Sequence, residues 1–213
     1  MKKLIFAAVV AIFTLASAAV SAATPFFLDK QGAVAEYVVK GANGDVQSYV
    51  KMTVTEIDYT DNENFRITYS TEVFDKDHKS LAAAVTSSAQ VKDGAVDVGQ
   101  AMEGVEFEGE FPSYPANLSV GQVMEYSFSM KTMGMKSTVE GKNTVAAREN
   151  VSTEAGSFDC FRIDGEASAK ALMSNVKTKT VSWISAGVGA VKTETYDNRD
   201  RLQSVQELVS ISK

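Results

Sequence analysis

Apolar and polar residues alternate with a period of two through most of this chain, and that period restricts what it can fold into. A residue type that recurs at every second position lines one face of a β-strand, because helical faces repeat every 3.6 residues. Ala33, Ala35, Tyr37 and Val39 run to Gly41-Ala42-Asn43-Gly44-Asp45, where Asn-Gly suits a two-residue hairpin turn. Val46, Ser48, Val50, Met52 and Val54 then share a face. After a turn beginning at Asp61, so do Phe65, Ile67, Tyr69 and Val73. Asp75 to Lys79 turns into Leu81 to Lys92, which Asp93-Gly94 closes. Met124, Tyr126, Phe128 and Met130 alternate with Glu125, Ser127 and Ser129, and Met133-Gly134, Ala155-Gly156, Gly187-Val188-Gly189 and Asn198-Arg199-Asp200 punctuate the rest. The spacing predicts an all-β fold: about ten or eleven mostly antiparallel strands in a meander, curled into a barrel or half-barrel that protects its edges.

One stretch breaks the rhythm. Residues 99–121 hold two of the three prolines, Pro112 and Pro115, and read as a connection between two meander halves, with one helical turn near Gln100 to Met102. Phe107, Phe111 and Tyr114 within it are expected to pack onto the remainder. Glu106, Glu108 and Glu110 alternate onto one face, which reads as solvated; a hydrolase using clustered carboxylates is the competing account.

Lys2 and Lys3 precede an apolar run from Leu4 to Leu15, and the small residues Ser21-Ala22-Ala23 follow. This predicts a cleavable signal peptide over residues 1–23 and one barrel-like domain over residues 24–213, destined for the periplasm or secretion, with no membrane span after cleavage. Removing 23 of 213 residues leaves 190, enough to bury a core without staples. The only cysteine, Cys160, lies far from the cleavage point, so a lipidated N-terminal cysteine is not expected.

Composition narrows the chemistry. With one His and one Cys the usual zinc ligand sets and an internal disulfide are out of reach, and His78 sits in a charged turn without a nucleophile motif. No catalytic residue, metal or cofactor is therefore assigned. The leader carries two of the 21 Lys+Arg and none of the 27 Asp+Glu, so the net charge of −6 becomes −8 after cleavage, unsuited to nucleic acid. Met124, Met130, Met133 and Met135 crowd one region, as thioethers do where a pocket needs an adaptable lining; Cu(I) is the other ligand they would suit.

Three motifs carry a family likeness: Tyr114-Pro115 with Leu118-Ser119-Val120-Gly121-Gln122; Thr153-Glu154-Ala155-Gly156-Ser157-Phe158-Asp159-Cys160; and Trp183 with Gly187-Val188-Gly189-Ala190-Val191-Lys192-Thr193-Glu194-Thr195-Tyr196. In these the chain resembles a group of exported β-rich proteins of Bacteroides-type bacteria that forms a domain-of-unknown-function family. The resemblance implies an antiparallel barrel-like fold, loosely related to periplasmic lipoprotein-carrier-like half-barrels, and brings no active site with it. Physically, the Gly-Val-Gly corner lets a strand bend sharply or another backbone come close. The functional expectation is a binding or carrier-type barrel for an apolar small molecule or lipid, with Tyr126, Phe128, Met130, Phe158 and Trp183 lining the cavity. The alternative is a structural or assembly partner of another envelope protein, with no ligand.

Overall fold

The computed structural model describes residues 24–61, 63–102, 105–115, 117–132, 135–171 and 174–212. The expected leader at residues 1–23 and the turn at Met133-Gly134 lie outside the described residues. Among the described residues there are thirteen strands and no helix. They are β1 (Val34–Gly41), β2 (Val46–Tyr59), β3 (Phe65–Asp75), β4 (Val85–Lys92), β5 (Ala95–Met102), β6 (Val105–Glu110), β7 (Ser113–Tyr114), β8 (Val123–Thr132), β9 (Met135–Thr153), β10 (Gly156–Ala171), β11 (Ser174–Ser185), β12 (Gly189–Tyr196) and β13 (Leu202–Ser212).

All pair antiparallel in a single sheet ordered β6-β8-β9-β10-β11-β12-β13-β1-β2-β3-β4-β5-β7. The sheet curls without closing. Two uninterrupted meanders, β1 to β5 and β8 to β13, are joined side by side where β13 pairs with β1, Leu208 opposite Tyr37. The expected meander and half-barrel are present, with two or three strands more than the alternation marked.

The extra strands lie where a connection with a helical turn was expected. Gln100 to Met102 instead continue β5, and β6 and β7 follow as short edge strands, β6 on β8 and β7 on β5. The chain thus crosses between the two free edges of the sheet three times before β8 begins. Short edge strands beside prolines and glutamates suit this role, since Pro cannot donate to an interior ladder and charge discourages further pairing.

Turn geometry follows residue type. Asp93 (φ 49°) and Gly94 (φ 74°) form a two-residue turn with both central residues left-handed. The Asn43-Gly44 turn differs from expectation: only Gly44 is left-handed (φ 84°), and Gly41 N donates to Asp45 O at 2.9 Å around a three-residue loop. The loops of Asp75 to Lys79 and Asp197 to Arg201 repeat this pattern, with His78 and Asp200 left-handed at φ 58°.

The core fills the concave side. Ala35, Tyr37, Met52, Val54, Ile67, Val91, Val96, Val145, Ile163, Ile184 and Leu208 are fully buried there. They close around the chain's own N-terminal segment, in which Phe27 and Leu28 are 0% exposed and Phe26 is 4% exposed. Phe27 lies 5.0 Å from the Tyr69 ring and Phe26 meets Phe161 edge-on at 5.8 Å. The Gly-Val-Gly corner receives this segment: Gly187 N donates to Pro25 O at 2.6 Å, and a Cβ on Gly189 would sit 3.2 Å from Phe26 O. That corner serves close backbone approach, one of the two purposes expected of it. Burying three large apolar side chains here stabilises the fold by about 1.5–3 kcal/mol each.

Candidate functional site: the concave face of β8 to β11

The strands β9 and β10 are the longest in the sheet, at 19 and 16 residues, and outrun the plugged part of the core. Their register places three cross-strand rows on the concave side above it. The first is Phe128, Val139, Ala169 and Val176; the second Tyr126, Gly141, Ala167 and Thr178; the third Met124, Asn143, Gly165 and Thr180. Below them the fully buried Val145 and Ile163 belong to the core. Above, Val139, Ala167, Ala169 and Ala171 are only half-buried, and Val176 is 40% and Met135 54% exposed. The result is an apolar wall of small side chains facing the inside of an open sheet.

At the foot of the wall two glycines make room for polar side chains, Gly141 for Tyr126 and Gly165 for Thr180 and Asn143. A Cβ on Gly141 would lie 2.4 Å from the Tyr126 ring and 2.6 Å from Glu166 O, and one on Gly165 would lie 2.8 Å from Asn143 Oδ1. Asn143 Nδ2 donates to Tyr114 Oη at 2.7 Å, and both residues are buried. Because β7 sits at one edge of the sheet and β9 two strands in from the other, this bond spans the open side. Burial holds the Tyr126 phenol up at about 12; it also raises that of Tyr114, with smaller effects from neighbouring Tyr126, which raises it, and the Asn143 bond, which lowers it. These phenols remain neutral hydrogen-bonding groups at any physiological pH.

Of the five residues expected to line a cavity, the structure brings three together. Tyr126, Phe128 and Met130 share the concave face of β8, where Phe128 stacks on Phe111 at 4.7 Å and Phe111 meets Phe107 at 5.5 Å. The aromatics of the 99–121 stretch do pack down, as expected. Trp183 lies on the other face: it is opposite Arg162, next along the strand to the core residue Ile184, with Lys192 Nζ 5.0 Å above its ring and Glu149 accepting its indole N–H. Phe158 alternates onto the Arg162 face of β10 as well, opposite Val151. These two therefore do not join the other three.

The sequence reading overlooked Gly141, Gly165 and Asn143, and did not count Phe26 to Leu28 as core. An isolated glycine inside a strand signals close approach by a neighbour, and both glycines carried that signal.

The other candidates stay apart from the wall. Glu106 pairs with Lys131 at 2.8 Å and Glu108 with Lys136 at 3.2 Å on an exposed face. His78 stacks on Tyr49 at 4.2 Å in its turn. Burial, reinforced by Asp159 and Glu149, pushes the Cys160 thiol up to about 12, which leaves it a weak nucleophile. Among the described residues no group of three His, Cys, Asp or Glu could hold a metal ion.

Fold and site together define an open, all-antiparallel half-barrel with a plugged core and an unplugged apolar wall. The profile of the DUF3108-like family matches residues 30–208, and the chain belongs to that family. Two solved structures share the fold. A protein from Bacteroides fragilis assigned to export, with a YmcC-like fold, superposes with a TM-score of 0.73 at 19% identity, covering 88% of this chain and 99% of that one. A protein from Parabacteroides distasonis assigned as a lipoprotein superposes with a TM-score of 0.74 at 21% identity, covering 88% and 98%. No curated protein matches the sequence.

Proposed function

We propose that this protein is an exported binding protein that carries an apolar or lipid-like ligand on the concave face of β8 to β11. The observation behind this reading is the contrast within one surface. The lower part of the concave face is filled by Phe26 to Leu28, while beyond the buried Phe128 the row Val139, Ala169 and Val176 carries the same apolar character toward solvent, half-buried at Val139 and Ala169 and 40% exposed at Val176. A contiguous exposed apolar surface inside a curved sheet suits a ligand that brings its own apolar area. The exported or lipoprotein assignment of the two structural relatives supports a location in the envelope or outside it, in keeping with the leader expected at residues 1–23.

Native mass spectrometry of the protein recovered from the periplasm tests this directly. A reproducible adduct of a few hundred daltons that dissociates on collisional activation is the expected result. An unadducted mass across independent preparations contradicts it.

A further inference from the structure

Buried hydrogen-bonding groups in a folded chain are nearly always paired, so unpaired ones clustered on one surface call for a partner. On the concave face, one cross-strand step below the wall, runs the row Ile163, Ser182, Thr193, Gln206 and Val39. Ser182 and Thr193 satisfy each other, Oγ1 of Thr193 donating to Oγ of Ser182 at 3.3 Å. Gln206 Nε2 is buried and has no partner. A second such atom lies on the adjoining strand of the same face, Tyr37 Oη on β1, whose backbone is opposite Leu208; Thr71 Oγ1, three strands from β13 on β3, and Asp29 Oδ1, next to Leu28 of the plug, are also unpaired. No charged side chain stands in the row.

We propose, building on the binding function above, that the ligand is an acyl compound whose head presents a carbonyl or carboxylate oxygen, and that Gln206 Nε2, with Tyr37 Oη behind it, donates to that oxygen. Two kinds of observation meet here. The wall supplies apolar length, and the unpaired donors supply a polar end point one row below it and two strands beyond β11. Gln206 is 6% exposed, and its terminal amide torsion is soft, so the amide can reorient without backbone movement. Uncharged N–H and O–H donors select an oxygen acceptor in preference to an ammonium group.

The test uses the chain from Thr24 onward, which contains every described residue. The neutral fluorophore N-phenyl-1-naphthylamine reports the apolar wall, and palmitic acid and methyl palmitate compete with it. Gln206→Leu and Tyr37→Phe are each expected to bind the fluorophore as the wild type does and to lose about ten-fold in displacement by the acyl competitor. Neither substitution should lower the melting temperature of the empty protein, because each replaces an unpaired donor with apolar atoms. Loss confined to palmitic acid assigns the partner as a free carboxylate, and loss with methyl palmitate as well assigns it as an ester carbonyl. Unchanged acyl displacement in both variants overturns the inference and leaves the binding function standing, as does a wild type that binds the fluorophore but neither competitor. A marked fall in melting temperature also overturns it, since the donors would then have internal partners. A wild type that binds none of the three sinks the binding function itself.

Discussion

Asn143 on β9, two strands in from one edge of the sheet, and Tyr114 on the opposite edge strand β7 are joined across its open side, the amide donating to the phenolic oxygen at 2.7 Å between residues 29 apart in sequence. Tyr114→Phe removes the acceptor and leaves the Asn143 amide buried. Such a loss costs about 1–3 kcal/mol, or roughly 2–4 °C of melting temperature per kcal/mol in a domain of this size. Urea unfolding of Tyr114→Phe, Asn143→Ala and the double variant checks it. The double variant should be less destabilised than the sum of the two singles, and strict additivity would mean the residues do not act as a pair.

Gly141 is required by what lies on it. Gly141→Ala would bring a Cβ 2.4 Å from the Tyr126 ring and 2.6 Å from the backbone oxygen of Glu166. The tip of the Tyr126 side chain could shift but the Glu166 backbone oxygen cannot readily do so, so the change should cost about 1–3 kcal/mol through overpacking. Adding Tyr126→Leu removes the ring but not the carbonyl, so denaturant midpoints should show recovery of part of the loss.

The N-terminal plug is a large contributor to stability for its length. Phe27→Ala removes a ring that is 0% exposed and 5.0 Å from Tyr69, and should cost about 3–5 kcal/mol. Calorimetry should register a melting temperature lower by roughly 6–20 °C. A change of only a degree or two would mean the segment does not dock as described.

The turn at Asp197 gives a pH signature. Arg201 beside it, with the backbone N–H groups of Arg201 and Arg199, holds the Asp197 carboxyl down at about 2. A folded-state value below the unfolded one, about 3.9 for aspartate, means the stabilisation is complete above about pH 4 and is lost as pH falls through about 2. Asp197→Asn should therefore melt below the wild type at neutral pH, with the difference shrinking between pH 4 and 2. A carboxyl NMR titration of Asp197 should place its midpoint near the lower value.

How much of this the sequence disclosed depends on what each strand buries. Strands with large alternating side chains, such as Phe65, Ile67 and Tyr69 in β3 or Tyr126, Phe128 and Met130 in β8, were legible because one face carries the core. The wall was not. Its residues on β10 are Gly165, Ala167, Ala169 and Ala171, small side chains with weak strand preference, so β10 read as ending near Ile163. The longest strand of the wall, β9, read as two polar strands because few of its 19 residues are buried. Phe26 to Leu28 form no strand at all, and a three-residue apolar run carries no period to detect. The face of Trp183 was hidden for another reason. Alternation in β11 says which residues share a side, but only the paired strands say which side is the core.

The proposed ligand surface is the row Val139, Ala169 and Val176. Fluorescence titration of N-phenyl-1-naphthylamine against the wild type and Ala169→Trp tests it most directly. Ala169 is half-buried in the middle of the row, so an indole there occupies the surface without touching the plugged core. Saturable one-to-one binding by the wild type, weakened at least ten-fold in a folded Ala169→Trp protein, is the result the account predicts. Equal binding by both proteins, or none by the wild type, would contradict it.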